Sequence, residues 1–231
     1  MRTMTATAPL ETVSSAGSLG GEPIPVLDAV GLEKTYPRRG LRRPQPVLTG
    51  ASLSLGAGEV VGLVGENGSG KSTLMRILVG DLAADAGTVS SVGQVGYCPQ
   101  QPVVYPRLNC DEHFELFGRA YGMTFTAERE SRRTLYVALG FERYARTRTD
   151  QLSGGTLAKL NLALALLPDP EVLLLDEPYS GFDWDTYLRF WEIVADRRAR
   201  GRSVLIISHF VTDEERFDRI VEVRDGRTHQ R

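Results

Sequence analysis

One stretch of this chain constrains its fold more than any other: a short apolar run, a glycine-rich loop and then a helix-like segment. The apolar run EVVGLV spans residues 59–64, and its unbroken hydrophobicity is typical of a strand buried on both faces of a parallel sheet. The loop GENGSGKS (65–72) fits the pattern G-x-x-x-x-G-K-[ST]. Glycines let such a loop surround a phosphate with backbone N–H groups, and the following helix directs its positive dipole end at the anion. The sequence therefore predicts a nucleoside triphosphate site at a strand end.

The side chains of this loop support the same prediction. Only three of the 27 basic residues are lysines, and Lys71 is one of them. Lysine supplies a compact point charge for phosphate oxygens, which the planar fork of arginine does not. The hydroxyl of Ser72 can ligate Mg²⁺. A flexible glycine-rich turn is the alternative interpretation, and the strand before and the helix after the loop disfavour it.

A second apolar run, EVLLLDEP (171–178), ends in two acidic residues. Asp176 lies at the C-terminal end of the predicted strand, where ligands bind in open parallel sheets. We expect Asp176 to hold Mg²⁺ and Glu177 to polarise an attacking water. An acidic turn before Pro178 is the simpler interpretation of the pair alone, and the phosphate loop disfavours it.

Two further motifs point to phosphate contacts. The run RSVLIISH (202–209) brings His209 to the same edge of the sheet as Lys71 and Asp176, where it can contact a γ-phosphate. The segment QLSGGT (151–156) places Ser153 and two glycines at the start of a helix-like run, which forms a second anion site.

The order of apolar strands and helices predicts an α/β fold. Buried strands that alternate with helices indicate a parallel or mixed sheet covered on both faces. The alternating segments 26–36 and 47–55 predict a small antiparallel β subdomain. A helical block over about 105–167 interrupts the alternation and predicts an inserted α-helical subdomain. We expect residues 25–228 to form this domain, with a disordered tail at 1–24 and a short tail at 229–231.

Charge and hydropathy exclude several classes of function. The net charge is −2 and the pI about 6.0, so no nucleic-acid partner is expected. No apolar run reaches the roughly 18 to 20 residues of a membrane span, and the N-terminus lacks the pattern of a secretory signal. The sequence therefore predicts a cytoplasmic location.

Taken together, these motifs resemble the ATP-binding cassette (ABC) ATPase family in order and spacing from about residue 26 to 227. The expected fold is a P-loop NTPase core, and the expected activity is hydrolysis of ATP with Mg²⁺. In the loop that resembles Walker A, the resemblance assigns nucleotide contacts to Gly65, Asn67, Gly68, Ser69, Gly70, Lys71, Ser72 and Thr73. Outside that loop it assigns site roles to Tyr36 (adenine stacking), Gln100 (Mg²⁺ and the Q-loop), Ser153, Gly154 and Gly155 (signature), Asp176 (Mg²⁺), Glu177 (catalytic carboxylate), Asp183 (D-loop) and His209 (switch).

The family resemblance also implies partners. Two cassettes pair head to tail, so that Ser153, Gly154 and Gly155 of one chain bind the ATP held by the other. The second cassette is an identical chain or a close paralogue. Transmembrane permease subunits would hold the pair at the inner face of the cell membrane. Thr156 departs from the family, which usually has glutamine there; because the Ser-Gly-Gly core is kept, we expect hydrolysis to persist.

Three functions fit the resemblance. The segment LNCDEHFELFGRAYGM (108–123) is similar to export-type transporter cassettes, which favours export of drug-, lipid- or polysaccharide-like substrates over import. A soluble ABC ATPase that acts on ribosomes or DNA is the alternative. Such members usually join two cassettes or insert coiled coils, and this chain has neither. A cassette that binds ATP without turnover is disfavoured by Lys71, Asp176 and Glu177.

Overall fold

The computed structural model describes residues 24–37, 44–208 and 214–231. The strands within these ranges are β1 (Leu27–Tyr36), β2 (Gln45–Leu55), β3 (Val60–Val64), β4 (Ala86–Ser91), β5 (Val95–Cys98), β6 (Val172–Asp176), β7 (Ser203–Ile207), β8 (Arg219–Arg224) and β9 (Arg227–Gln230). The α-helices are α1 (Lys71–Leu78), α2 (Cys110–Ala120), α3 (Phe125–Leu139), α4 (Gly154–Leu166) and α5 (Trp184–Ala199). The N-terminal tail predicted over residues 1–24 lies outside the described residues except at residue 24.

A six-stranded sheet forms the centre of the fold. Its order is β5-β6-β7-β3-β8-β9, and all neighbours are parallel except β8 and β9. Every residue of β3, β6 and β7 is buried, as the three continuous apolar runs predict. Because β3 lies between β7 and β8, the loop after β3 emerges at the middle of the sheet. The predicted α/β class with a mixed sheet is confirmed.

Two hydrophobic cores cover the two faces of this sheet. Val204 and Ile206 of β7 point into a core shared with helices α2 to α5. Leu205 and Ile207 of the same strand point into a core shared with α1 and the first two strands. Side chains that alternate along this one strand therefore pack into both cores, which is why its residues from Val204 to Ile207 are all apolar.

The small antiparallel sheet has the order β2-β1-β4. It packs on the central sheet through buried side chains such as Leu27 and Leu53, while Val30 on its outer side is 53% exposed. This sheet confirms the small antiparallel β subdomain that the two alternating segments predict. β1 ends at Tyr36 and β2 begins at Gln45, and both residues lie beside the glycine-rich loop.

Three helices, α2 to α4, form the block between β5 and β6. Asn109 begins α2 with a reciprocal capping box, since its side chain accepts from the backbone of Glu112 while the Glu112 side chain accepts from the backbone of Asn109. The C-terminal half of α4 packs against β5. A Cβ at Gly96 would lie 2.5 Å from the carbonyl oxygen of Ala165, so only glycine allows this close approach. The block is thus tied to the central sheet through α4.

The C-terminal boundary differs from the sequence prediction. His229 and Gln230 pair with Glu222 and Val221 in the last antiparallel ladder, and the N–H of Arg231 donates to the carbonyl of Ile220. Residues 229–231 therefore continue the edge of the sheet, and the predicted tail is wrong. The edge strand is polar and largely exposed, so no apolar periodicity marked it in the sequence.

Arg197 on α5 is a buried cation whose loss should destabilise the fold. The residue is 1% exposed and donates to the carboxylate of Asp169 at 3.0 Å and to the carbonyl of Pro170 at 2.5 Å. Arg197→Met should lower the free energy of unfolding by about 2 kcal/mol, because that buried carbonyl loses its donor. Arg200→Met is the control, since Arg200 pairs with the same Asp169 but is half exposed. Equal urea midpoints for the two variants would contradict this prediction.

Candidate functional site

The loop after β3 is pressed against the sheet on one side and open on the other. Gly65 and Gly68 have φ of 146° and 82°, values that favour glycine. A Cβ at Gly65 would lie 2.4 Å from the carbonyl oxygen of Val223 and 2.8 Å from Oγ of Ser69, whereas a Cβ at Gly68 would meet nothing within 4 Å. The side of the loop at Gly65 is therefore closed by the sheet, whereas the side at Gly68 is open and an anion can approach the backbone there.

Lys71 begins the helix that follows the loop. The residue is only 6% exposed, and its Nζ donates to the carbonyl oxygens of Gly65 at 2.7 Å and Glu66 at 2.9 Å. An ammonium group has three donors, so one remains for a ligand oxygen. Burial lowers the pKa of Lys71, and the charges of Glu177 and Asp176 oppose that shift. Lys71 thus lies within electrostatic range of both strand-end carboxylates.

The acidic pair lies where β6 ends. Asp176 is 4% exposed as the last residue of the strand. Glu177 has a φ of 51°, which is uncommon for a residue other than glycine, and its N–H donates to the carbonyl of Ile207 at 3.1 Å. Residues held in this conformation cluster at functional sites. The sharp turn brings Glu177 to the wall of an open cleft beside the glycine-rich loop.

A cleft of about 520 Å³ collects most of the predicted site residues. This volume falls within the usual range for small-molecule sites. The predicted residues that line the cleft are Tyr36, Asn67, Gly68, Gly70, Lys71, Ser72, Thr73, Gln100 and Glu177. Four chain segments that are distant in sequence therefore meet here: the end of β1, the loop with the start of α1, the segment after β5 and the turn after β6.

Two cleft residues were not predicted from the sequence. Gln45 and Val47, at the start of β2, also line the cleft, and a Cβ at Gly70 would lie 3.0 Å from the carbonyl oxygen of Val47. The alternation over 47–55 places Val47 on a strand. No local signal shows that this strand lies against the loop, because the contact depends on how the two sheets pack.

The predicted signature residues lie outside this cleft, at the start of α4. Ser153 is the N-cap of the helix and its Oγ accepts from the N–H of Thr156 at 3.3 Å. A Cβ at Gly155 would lie 2.7 Å from the carbonyl oxygen of Gly181, so the signature packs directly against the segment before α5. The start of α4 is therefore a second candidate site for an anionic group among the described residues, and the cleft is not lined by Ser153, Gly154 or Gly155.

Asp183 and His209 complete the predicted set. Asp183 is the N-cap of α5, where its carboxylate accepts from the N–H of Thr186 at 2.8 Å. Hydrogen bonds from the Thr186 side chain and then from its backbone lower the pKa of Asp183. Asp183 does not line the cleft. His209 lies outside the described residues. The preceding Ser208 follows the end of β7 and is hydrogen bonded to the hydroxyl of Tyr179 at 2.5 Å.

The residues present fit a nucleotide with Mg²⁺. Ser69 Oγ is buried and, within the described parts of the chain, has no hydrogen-bond partner. That oxygen lies on the closed side of the loop beside Gly65, so the fit to a phosphate rests on the open side at Gly68 and on the Lys71 donor that the loop carbonyls leave unused. The oxygen ligands expected for Mg²⁺ are the Ser72 hydroxyl and the Gln100 amide, which line the cleft, and the Asp176 carboxylate, which precedes the cleft residue Glu177. Over residues 24–37, 44–208 and 214–231, no three His, Cys, Asp or Glu side chains form a metal cluster. A ligand set with a single carboxylate beside phosphates suits Mg²⁺, which keeps much of its hydration and seldom uses an all-protein cage.

The fold and this site define an ATP-binding cassette of the P-loop class. The chain matches the ABC transporter family over residues 48–180, and it belongs to that family. Within the described ranges, no helix is both long enough and apolar enough to cross a membrane.

Among its relatives are two proteins named Nod factor export ATP-binding protein I. The protein from Burkholderia lata is 37% identical over 194 residues, which cover 78% of this chain and 64% of that protein. The protein from Ralstonia nicotianae is 32% identical over 216 residues, which cover 88% of this chain and 65% of that protein. This chain thus spans just under two thirds of the length of these relatives.

Solved structures show the same architecture. The ATP-binding subunit of an ABC transporter superimposes with a TM-score of 0.80 at 27% identity, covering 89% of this chain and 90% of that one. A dimeric ATP-binding cassette in a post-hydrolysis state with ADP and Pi also superimposes with a TM-score of 0.80. The identity is 24%, and the match covers 88% of this chain and 98% of that one. The second similarity concerns the fold alone.

Proposed function

We propose that this chain is the ATP-hydrolysing, nucleotide-binding subunit of an export-type membrane transporter. The observation that carries the proposal is the single cleft that Lys71, Gln100 and Glu177 share. A loop suited only to binding needs no carboxylate beside it, whereas Glu177 supplies a general base or water-orienting group. The unit that performs this function is the domain that begins near residue 25 and continues through the last edge strand.

Each wall of the cleft has a role toward ATP. Tyr36 stacks on the adenine ring, an interaction that tolerates partial exposure because both faces of the base are apolar. The loop amides, the N-terminus of α1 and Lys71 bind the phosphates. The residues proposed for these phosphate contacts are Gly65, Asn67, Gly68, Ser69, Gly70, Lys71, Ser72 and Thr73.

Hydrolysis transfers the γ-phosphoryl group to water. Glu177 orients the water in line with the γ-phosphorus, the new P–O bond forms as the bond to the ADP oxygen breaks, and ADP and inorganic phosphate leave. Mg²⁺, which Ser72, Gln100 and Asp176 would hold, neutralises negative charge on the phosphates when bound. His209 contributes a further contact to the γ-phosphate.

A second cassette would complete the site. Ser153, Gly154 and Gly155 lie outside the cleft of their own chain at the start of α4, where Ser153 and Gly154 are exposed and Gly155 is partly buried. In a head-to-tail pair they contact the γ-phosphate of the ATP bound by the partner, and Asp183 lies at the same interface. Either an identical chain or a close paralogue satisfies this geometry.

A groove of about 510 Å³ beside the cleft suits a helix of a permease subunit. It lies between the central sheet and the helical block, and its apolar lining includes Val79, Val95, Tyr97, Val103, Phe117 and Tyr121. Asn161 of α4 donates to the carbonyl of Pro99 at 2.7 Å, so the segment that carries Gln100 is attached to both layers. A partner helix in this groove would contact the chain directly beside the cleft, at the inner face of the membrane.

The direction of transport is inferred from the relatives. Their name describes export of a Nod factor, which agrees with the similarity of residues 108–123 to export-type cassettes. Drug-, lipid- or polysaccharide-like molecules are the substrate classes that we propose. A soluble ATPase acting on ribosomes or DNA is the competing function.

A capture experiment with two matched variants tests the proposal. Val103 lines the groove and is 64% exposed, while Val137 on α3 lies outside it and is 62% exposed. From native membranes in mild detergent, the tagged parent should recover a multi-span membrane protein in stoichiometric amount. Val103→Asp should reduce that recovery at least about fivefold, because a carboxylate in an apolar interface must be desolvated, and Val137→Asp should not.

Mass spectrometry of the captured material separates the outcomes. Recovery of ribosomal proteins or DNA in place of a membrane protein would support the competing function. Recovery of a membrane protein that both variants retain would remove this groove as its binding site. The sequence of the captured permease would then distinguish export from import.

A further inference from the structure

We propose that Thr156 is a positioning residue that sets the hydroxyl of Ser153 as a donor to the γ-phosphate of the partner's ATP. The inference rests on the proposed pairing of two cassettes. It concerns the position at which this chain departs from the family resemblance, with threonine where glutamine is usual. The departure is therefore part of how this chain binds its partner's nucleotide.

The two hydroxyl groups are in direct contact. Ser153 Oγ and Thr156 Oγ1 are 2.9 Å apart, and either can be the donor. The N–H of Thr156 also donates to Ser153 Oγ at 3.3 Å. Thr156 is 7% exposed whereas Ser153 is exposed. A buried hydroxyl thus lies behind the exposed one, on the side away from an approaching ligand.

Counting hydrogen bonds gives the direction of the donor. A serine hydroxyl has one proton to donate and two lone pairs that accept. The Thr156 N–H occupies one lone pair of Ser153 Oγ, and the Thr156 hydroxyl, when it donates, occupies the other. The Ser153 hydroxyl can then form only one more hydrogen bond, as a donor, and its proton points away from Thr156. An anion in front of the helix selects this arrangement, since a phosphate oxygen only accepts.

Two features make threonine suited to this role. Its branched Cβ limits χ1 to two rotamers in a helix, and the 2.9 Å contact with Ser153 Oγ selects one of them. A hydroxyl that accepts a hydrogen bond also becomes a stronger donor, because hydrogen bonds in a chain polarise one another. The pair should therefore bind the γ-phosphate more tightly than Ser153 alone.

A purely structural role is the competing explanation, because Ser153 is the N-cap of α4 and the same contact could only stabilise the start of the helix. Thr156→Val removes the hydroxyl and keeps the branched shape, while Thr156→Ser keeps the hydroxyl. Both variants are measured alone and together with Ser153→Ala. The readouts are ATP-driven dimerisation by analytical ultracentrifugation in a Glu177→Gln background, kcat and KM for ATP in the parental background, and the apo melting temperature.

If Thr156 acts through Ser153, Thr156→Val should weaken ATP-driven dimerisation and lower kcat by about three- to tenfold, with KM for ATP nearly unchanged because the first cleft is intact. Thr156→Ser should recover most of the loss. In the Ser153→Ala background, Thr156→Val should have no further effect on dimerisation. A loss of the same size in both backgrounds, accompanied by a lower apo melting temperature, would assign the contact to helix capping and overturn the inference.

The behaviour of the Glu177→Gln chain without a change at Thr156 separates this inference from the proposed function. If the Glu177→Gln chain binds ATP and dimerises but Thr156→Val behaves as its parent does, only the inference fails. If the Glu177→Gln chain shows no ATP-dependent dimer, alone or with the captured permease, the pairing itself is wrong and the inference falls with it.

Discussion

Replacement of Glu177 by glutamine should abolish most ATP turnover while leaving ATP bound. The side chains have the same shape, and the turn that holds residue 177 at a φ of 51° is fixed by its backbone bond to Ile207, so neither fold nor loop should change. A neutral amide cannot accept a proton from water, and general-base groups contribute about 10²- to 10⁴-fold. We expect kcat to fall by about that factor and an ATP-bound dimer to accumulate, measured by phosphate release and by sedimentation.

Glu192→Gln is the matched control, since Glu192 is an exposed carboxylate on α5 that does not line the cleft. It should keep the parental rate. Hydrolysis by Glu177→Gln at the parental rate would show that another group orients the water, and the assignment of the catalytic carboxylate would be wrong.

Replacement of Lys71 by alanine should strongly weaken the binding of ATP by the isolated chain. The ammonium contributes a charge-assisted hydrogen bond to a phosphate, worth about 1.5–3 kcal/mol, and it also links the loop carbonyls of Gly65 and Glu66. Both effects act in the same direction. We expect the Kd for ATP to rise by about 10- to 100-fold or more, measured by titration calorimetry, with the melting temperature of the apo chain recorded in parallel.

Lys159→Ala is the control for loss of a lysine. Lys159 lies on α4, outside the residues that line the cleft, so ATP binding by the single chain should be unchanged. An affinity of Lys71→Ala within twofold of the parent, with an intact fold, would mean that the phosphates bind elsewhere.

Several elements of this protein could be predicted from local sequence because local physics determines them. The three apolar runs form the fully buried strands β3, β6 and β7, since a strand covered on both faces is apolar along most of its length. The glycine-rich loop is recognisable because its backbone conformation requires glycine at fixed positions. The same reasoning placed Lys71 at the start of a helix and Asp176 at the end of a strand.

The limits of the prediction also have physical causes. The edge strand β9 was missed because a polar, exposed strand is held by backbone pairing, which leaves no hydrophobic pattern. Gln45 and Val47 were missed because their place in the cleft depends on the packing of one sheet on another. The roles of all the site residues toward a nucleotide stay predictions, and His209 also lies outside the described residues.

The sequence by itself therefore determined the class of fold, the loop and the types of side chain that the site requires. Tertiary structure alone decided which of those side chains share one cleft. Tyr36, Lys71, Gln100 and Glu177 meet because parallel strands end at one edge of the central sheet and a second sheet packs beside them, whereas Ser153 begins a helix that faces outward. Local sequence encodes backbone conformation and burial, but distances between remote segments arise only when the two cores pack on opposite faces of the sheet.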